Sequence, residues 1–150
     1  LDVVIVDNID SFFTHSGDFL IIHDWKRPWR ITGNSSVYRF KLGAFPGLMP
    51  YFREHFDEIR QKFRNEQAYL SWYIDQEKKL SYWPDSWCKS YKYHCLQKIP
   101  LAYFKPPVKP EGAKIIVFHG EINPPDAVNG GGGKWYRYVL PSDWIKEAWH

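Results

Sequence analysis

"AKIIVFHGEINPPD", residues 113–126, runs an apolar stretch straight into a histidine, a glycine and a proline pair. A short apolar run with β-branched residues, bounded by turn formers, reads as a buried strand, and the prolines prevent its ladder from continuing. The pattern predicts a central strand over "AKIIVF" that stops on His119. Open α/β sheets place their ligands at that carboxyl end. By position alone, a strand-end histidine satisfied by a backbone carbonyl is the commoner arrangement, and the choice stays open.

Working outward, "VVIV" at 3–6 is a second β-branched run, predicted as a strand buried on both faces of a mostly parallel sheet. "NIDSFF" after it reads as a short helical turn capped by Asn8 or Asp10. "DFLIIHDW" and "SSVYRFKL" read as two further strands, the latter with Val37 and Phe40 out of phase. After "GLMP", Pro50 suits the first position of a helix whose stripe is Phe52, Phe56, Ile59 and Phe63. "NEQAYLSWYIDQEKK" is a second helical stretch, followed by a loop region around Pro84 with aromatic anchors. "PPVKPEG" at 106–112 is a stiff connector, and the four glycines of "NGGGGKWY" at 129–136 argue for a mobile loop. The class expected is α/β, a mixed sheet flanked by helices, with 1–150 as one domain.

Composition narrows the function. With 150 residues and 44% hydrophobic side chains, the chain can build a core. A formal charge of +3, with basic residues only in short pairs such as Lys26-Arg27, gives no stripe for nucleic acid. Cys88 and Cys95 form neither a paired zinc motif nor a disulfide framework, so they read as reduced thiols. With no signal peptide and no apolar run long enough to span a bilayer, the expected location is cytoplasmic. The first residue is Leu1 and a strand follows at once, so the chain is expected to lack an N-terminal part.

Four segments occur in order: "LDVVIVDNIDSFF", "GNSSVYRF", "NEQAYLSWY" and "VFHGEINPPD". Together they resemble the retaining glycosyltransferases of family 8 and their bacterial relatives with the GT-A fold. The resemblance implies the C-terminal part of that fold, without the N-terminal nucleotide-binding part. It implies transfer of a sugar from a nucleotide-diphosphate donor, a UDP-sugar above all, to a carbohydrate or other acceptor hydroxyl. It also implies Mn²⁺ or Mg²⁺ on the diphosphate. Asp2 would match the second aspartate of an Asp-x-Asp motif, the first lying just before Leu1, and His119 would be the later metal ligand. A divalent cation held by such groups neutralises the departing diphosphate.

The same resemblance assigns the remaining residues. Gly120 would let the backbone pass close to phosphate. Asn34 and Ser35 match an Asn-Ser-Gly segment at the donor sugar, with Ser36 in place of the glycine. Glu66 and Gln67 match an Asp-Gln pair, the carboxylate on sugar hydroxyls and the glutamine near the reacting carbon. The chain departs from the pattern after His119, where Asn123 stands near an expected lysine and "PPD" replaces a Pro-Trp ending. Lys134 is then the candidate for diphosphate contact.

Among the other carboxylates, Asp7 and Asp10 read as helix caps, Asp24 as one more near a sheet end, and Glu121 as a support for a metal. Trp25, Trp29, Trp83 and Trp87 fall in expected loops and are candidates for stacking on an acceptor sugar. Two rivals remain. One is a non-catalytic carbohydrate-binding domain using those aromatics, and the other a metal-dependent phosphoesterase built on His119, Glu121 and Asp126.

Overall fold

A computed structural model of the chain describes residues 2–131 and 138–149. In chain order the strands are β1 (Val3–Ile5), β2 (Phe19–His23), β3 (Gly33–Phe40), β4 (Leu80–Tyr82), β5 (Cys88–Ser90) and β6 (Ile115–Val117). The helices are α1 (Asp10–Thr14), α2 (Leu48–Glu54), α3 (Phe56–Lys62), α4 (Glu66–Gln76), α5 (Pro124–Asn129) and α6 (Asp143–Ala148). A π-helical turn spans Tyr91–Cys95 and a 3₁₀ turn Leu101–Tyr103. The chain divides into two compact units, Leu1–Thr14 with Pro84–His150, and His15–Trp83. Each carries one mixed three-stranded sheet, so the class is α/β.

In the first unit the strand order is β1-β6-β5, with β6 antiparallel to β1 and parallel to β5. The central place of β6 follows from its side chains: Ile116 and Val117 are fully buried, as is Phe118 just beyond the strand. Burying such a side chain contributes roughly 1.5–3 kcal/mol. Tyr91 stacks on Phe118 with ring centroids 4.5 Å apart, and its hydroxyl shares a hydrogen bond with the buried Ser142. β1 differs from the expectation of a strand covered on both faces in a parallel sheet. It is an edge strand paired antiparallel to β6, and Ile5 is 51% exposed. A β-branched run suits either position, which is why the run alone could not distinguish them.

The proline pair after His119 has a use beyond ending a strand. Asn123 is the N-cap of α5, Pro124 and Pro125 fill its first two helical positions, and Asp126 Oδ2 accepts from the Asn123 N–H at 2.9 Å. Proline lacks the N–H that a first turn leaves unpaired, so it starts a helix at little cost.

In the second unit the order is β3-β2-β4, with β2 antiparallel to β3 and parallel to β4. Leu20 and Ile21 of β2 are fully buried, and Ile74 of α4 packs with Phe19 and Ile21. The β2–β3 register jumps from Ile21↔Tyr38 to Ile22↔Asn34, so residues 35–37 lie outside the ladder as a bulge. That bulge is the physical origin of the phase slip at Val37 and Phe40.

The predicted single stripe from Phe52 to Phe63 is instead divided between α2 and α3, which meet at His55. His55 leaves helical geometry while its ring stacks on Tyr51, centroids 4.1 Å apart. Pro50 is the third helical residue rather than the first, still within the turn whose N–H groups need no helical partner. Trp83 is no acceptor candidate: it is 3% exposed, and its Nε1 donates to the Val37 carbonyl at 3.2 Å. No helix among the described residues is long and apolar enough to cross a membrane.

Candidate functional site

The sequence-predicted residues fall into two groups, one in each unit. In the unit of β1, β5 and β6, the ladder between β1 and β6 runs one step past Val3↔Val117, because the Phe118 N–H donates to the Asp2 carbonyl at 2.7 Å. That bond sets the Asp2 backbone opposite Phe118, beside His119 in sequence. The Asp2 side chain is exposed and His119 is half-buried. Gly120, exposed and with φ +98°, turns the chain away from the sheet in a conformation that favours glycine, although a Cβ there would touch nothing within 4 Å.

His119 is held from the neighbouring strand. Ser90, fully buried at the end of β5, lies 2.6 Å through its Oγ from His119 Nε2. The same Oγ accepts from the Tyr93 N–H at 3.3 Å, and the Tyr93 ring centroid is 5.1 Å from the imidazole. Ser90 also caps the π-helical turn, whose buried residues Tyr91 and Cys95 anchor it to the core. π-helical turns recur at functional sites because they re-aim side chains within a fixed backbone path. Burial pushes the Tyr91 phenol up to about 12 against the opposing Ser142 bond, and pushes both thiols, Cys88 and Cys95, up to about 12. His94, whose Nδ1 accepts from the Ser90 N–H at 3.0 Å, is lowered from the usual histidine value by burial and then by the Lys89 charge.

A carboxylate oxygen is an ordinary donor for Mn²⁺ or Mg²⁺ and an imidazole nitrogen for Mn²⁺ rather than Mg²⁺, and a serine on one ring nitrogen is the kind of partner that orients such a ligand. Asp2 and His119 are two donors, however, and among the described residues no group of three His, Cys, Asp or Glu side chains is placed to hold a metal ion. Glu121 is exposed, and Asp126 is engaged at the start of α5.

The second group lies where the β3 bulge meets the start of α4. Ser35 donates from its backbone N–H to Gln67 Oε1 at 3.2 Å, and from Oγ to Glu66 Oε1 at 3.0 Å. Just before it, the Gly33 N–H donates to the buried Ser71 Oγ at 2.9 Å, and that hydroxyl donates to the Gln67 carbonyl at 2.8 Å. Asn65 caps α4 by accepting from the Ala68 N–H, which puts Glu66 and Gln67 in the first turn, where the helix dipole favours a carboxylate. Asn34 Oδ1 accepts from the Ser36 N–H at 2.9 Å and so shapes the bulge. Gly33 is required by space: a Cβ there would lie 2.6 Å from Ile21 Cγ2.

Asn34, Ser35, Glu66 and Gln67 are therefore brought together, while Asp2 is tied to this end of β6 through its backbone carbonyl, opposite Phe118 and one residue short of His119. Lys134, and the last two of the four glycines before it, lie outside the described residues. Trp29 is 77% exposed, while Trp25 and Trp87 are half-buried. Ser90 and Tyr93 were not legible in the sequence. Ser90 ends a strand three residues long with a lysine at its centre, too short to show a period, and Tyr93 lies in the π-helical turn that follows it.

No family model, no curated protein and no solved structure matches this chain.

Proposed function

We propose that this chain belongs to a metal-assisted glycosyltransferase that moves a sugar from a nucleotide-diphosphate donor to an acceptor hydroxyl. The observation that supports this reading best is the convergence of Ser35 with Glu66 and Gln67. Residues some thirty positions apart, singled out by two separate motifs, share direct hydrogen bonds. In this reading Glu66 and Asn34 take hydroxyls of the donor sugar, Ser35 fixes the Glu66 carboxylate, and Gln67 lies toward the carbon that changes partners. There the bond to the diphosphate oxygen breaks, the acceptor oxygen bonds to carbon, and the acceptor proton is released. Asp2 and His119 would hold a divalent cation, which supplies positive charge to the departing diphosphate.

In the intact protein, His119→Ala is expected to abolish the Mn²⁺-dependent part of UDP affinity, measured by calorimetry with and without chelator, while circular dichroism stays unchanged. Asp2→Asn should act alike. Gln67→Ala should leave UDP affinity in place and lower transfer by about a hundredfold, the usual scale for a positioned polar group. UDP affinity indifferent to chelator in all three proteins would defeat the reading. The exposed Trp29 favours one alternative, a carbohydrate-binding module, which binds sugar with or without metal and releases no nucleotide.

A further inference from the structure

β5 and β6 run parallel, so their carboxyl ends open on the same side of the sheet. The segments that leave those two ends line one cavity of about 450 Å³, with Tyr93 and Lys98 from the β5 side and His119 and Glu121 from the β6 side. A cleft beyond the carboxyl ends of parallel strands is where small ligands bind in α/β sheets, and this one has the volume of a small-molecule site.

Its lining is chemically lopsided. Lys92 and Lys98 bring two positive charges against the single carboxylate of Glu121, and neither lysine forms an ion pair among the described residues. Tyr93 and Ile99, 37% and 44% exposed, supply apolar surface beside those charges. Lys92 Nζ stands 5.8 Å from the centroid of the Tyr93 ring, so cation and ring are available to the same ligand. On the β6 side the lining residues are His119, Glu121 and Ile122, with no lysine among them. The positive charge at this end of the sheet therefore comes from the segment after β5.

We infer that this cavity is an anion subsite in which Lys92 and Lys98 take the diphosphate-class group of a small ligand, with Tyr93 under its apolar part. The choice of a diphosphate rests on the transferase reading. The charge, the volume and the apolar wall stand without it.

The test is calorimetry of the full chain with inorganic pyrophosphate in EDTA, repeated for Lys98→Gln, Lys92→Gln, the double variant and Lys146→Gln. Lys146 is exposed on α6 and remote in sequence from the cavity lining, so its variant controls for net charge. Each cavity lysine should weaken binding about tenfold, the scale of a hydrogen bond to a charged group, and the control should not. The cavity lysines are exposed, so folding is expected to survive, with circular dichroism as the check. Absent pyrophosphate binding, or equal affinity in the double variant and the parent, overturns the subsite. If pyrophosphate binding depends on both lysines but the intact protein transfers no sugar from any nucleotide donor, the subsite stands and the transferase reading falls. Transfer that persists while pyrophosphate affinity ignores the lysines has the opposite meaning.

Discussion

The end of β6 and the start of β3 solve the same problem in opposite ways. At β6, regular structure places the candidate side chain: a fully buried strand runs out, and His119 follows at its rim with Ser90 of the parallel neighbour holding the ring. At β3, irregularity does the placing, since three residues leave the ladder and are tied to the first turn of a helix through Ser35. A site built on a regular strand inherits its precision from core packing. A site built on a bulge must be fixed by its own hydrogen bonds, and Gly33, Ser71, Glu66 and Gln67 provide them.

The comparison can be broken by disturbing each support. The largest effect is expected at β6, where Ile116→Ala empties a fully buried position and should cost about 2–5 kcal/mol in urea unfolding. An intact fold with little change in stability would mean that β6 is not the rigid element described. Next is Gly33→Ala, which drives a methyl into Ile21 and should cost about 1–3 kcal/mol while displacing Asn34 and Ser35. The displacement would be read from amide shifts in the bulge, and unshifted amides would mean that the fit is looser than 2.6 Å implies.

The smallest effect concerns pH. His94 is held below the ordinary 6.5 by burial and Lys89, so the unfolded chain takes up a proton more readily than the folded one. Its contribution to stability is present in full above about 6.5 and declines as pH falls toward the lower folded value. Urea midpoints measured from about pH 7 down to about pH 5 should fall less steeply for His94→Asn than for the parent. Parallel curves would show that the imidazole is as easily protonated in the fold as outside it.

How much of this was legible in the sequence follows from the same contrast. The strand before His119 announces itself by a continuous apolar run, and "NEQAYLSWYIDQEKK" reads as helical, whereas the capping of that helix by Asn65 comes from the structure. The edge position of β1 was not legible, because "VVIV" carries the same preference in a buried strand and at an edge. Nor was the break at His55, since four-three-four spacing is satisfied equally by one helix or by two that continue each other. β4 and β5 are three residues each, below the length at which alternation can be seen. At the candidate site, the motif residues were found through their resemblance as an ordered set. Ser90, Lys92 and Lys98 belong to no motif: the pairing of β5 with β6 sets Ser90 against His119, and the segment that leaves β5 carries the two lysines to the cavity.

Trp83 has a consequence of its own. Its indole N–H donates to the carbonyl of Val37, one of the three bulge residues, and so stands in for a ladder partner that β2 does not supply. Only a bulge that keeps its shape keeps that proton from solvent. In a spectrum of indole protons from the eight tryptophans, the Trp83 resonance should exchange slowly with deuterium while that of the exposed Trp29 vanishes early. The chain thus carries a built-in gauge of its most irregular strand, and any ligand that tightens or loosens the segment around Ser35 would be registered there without a label.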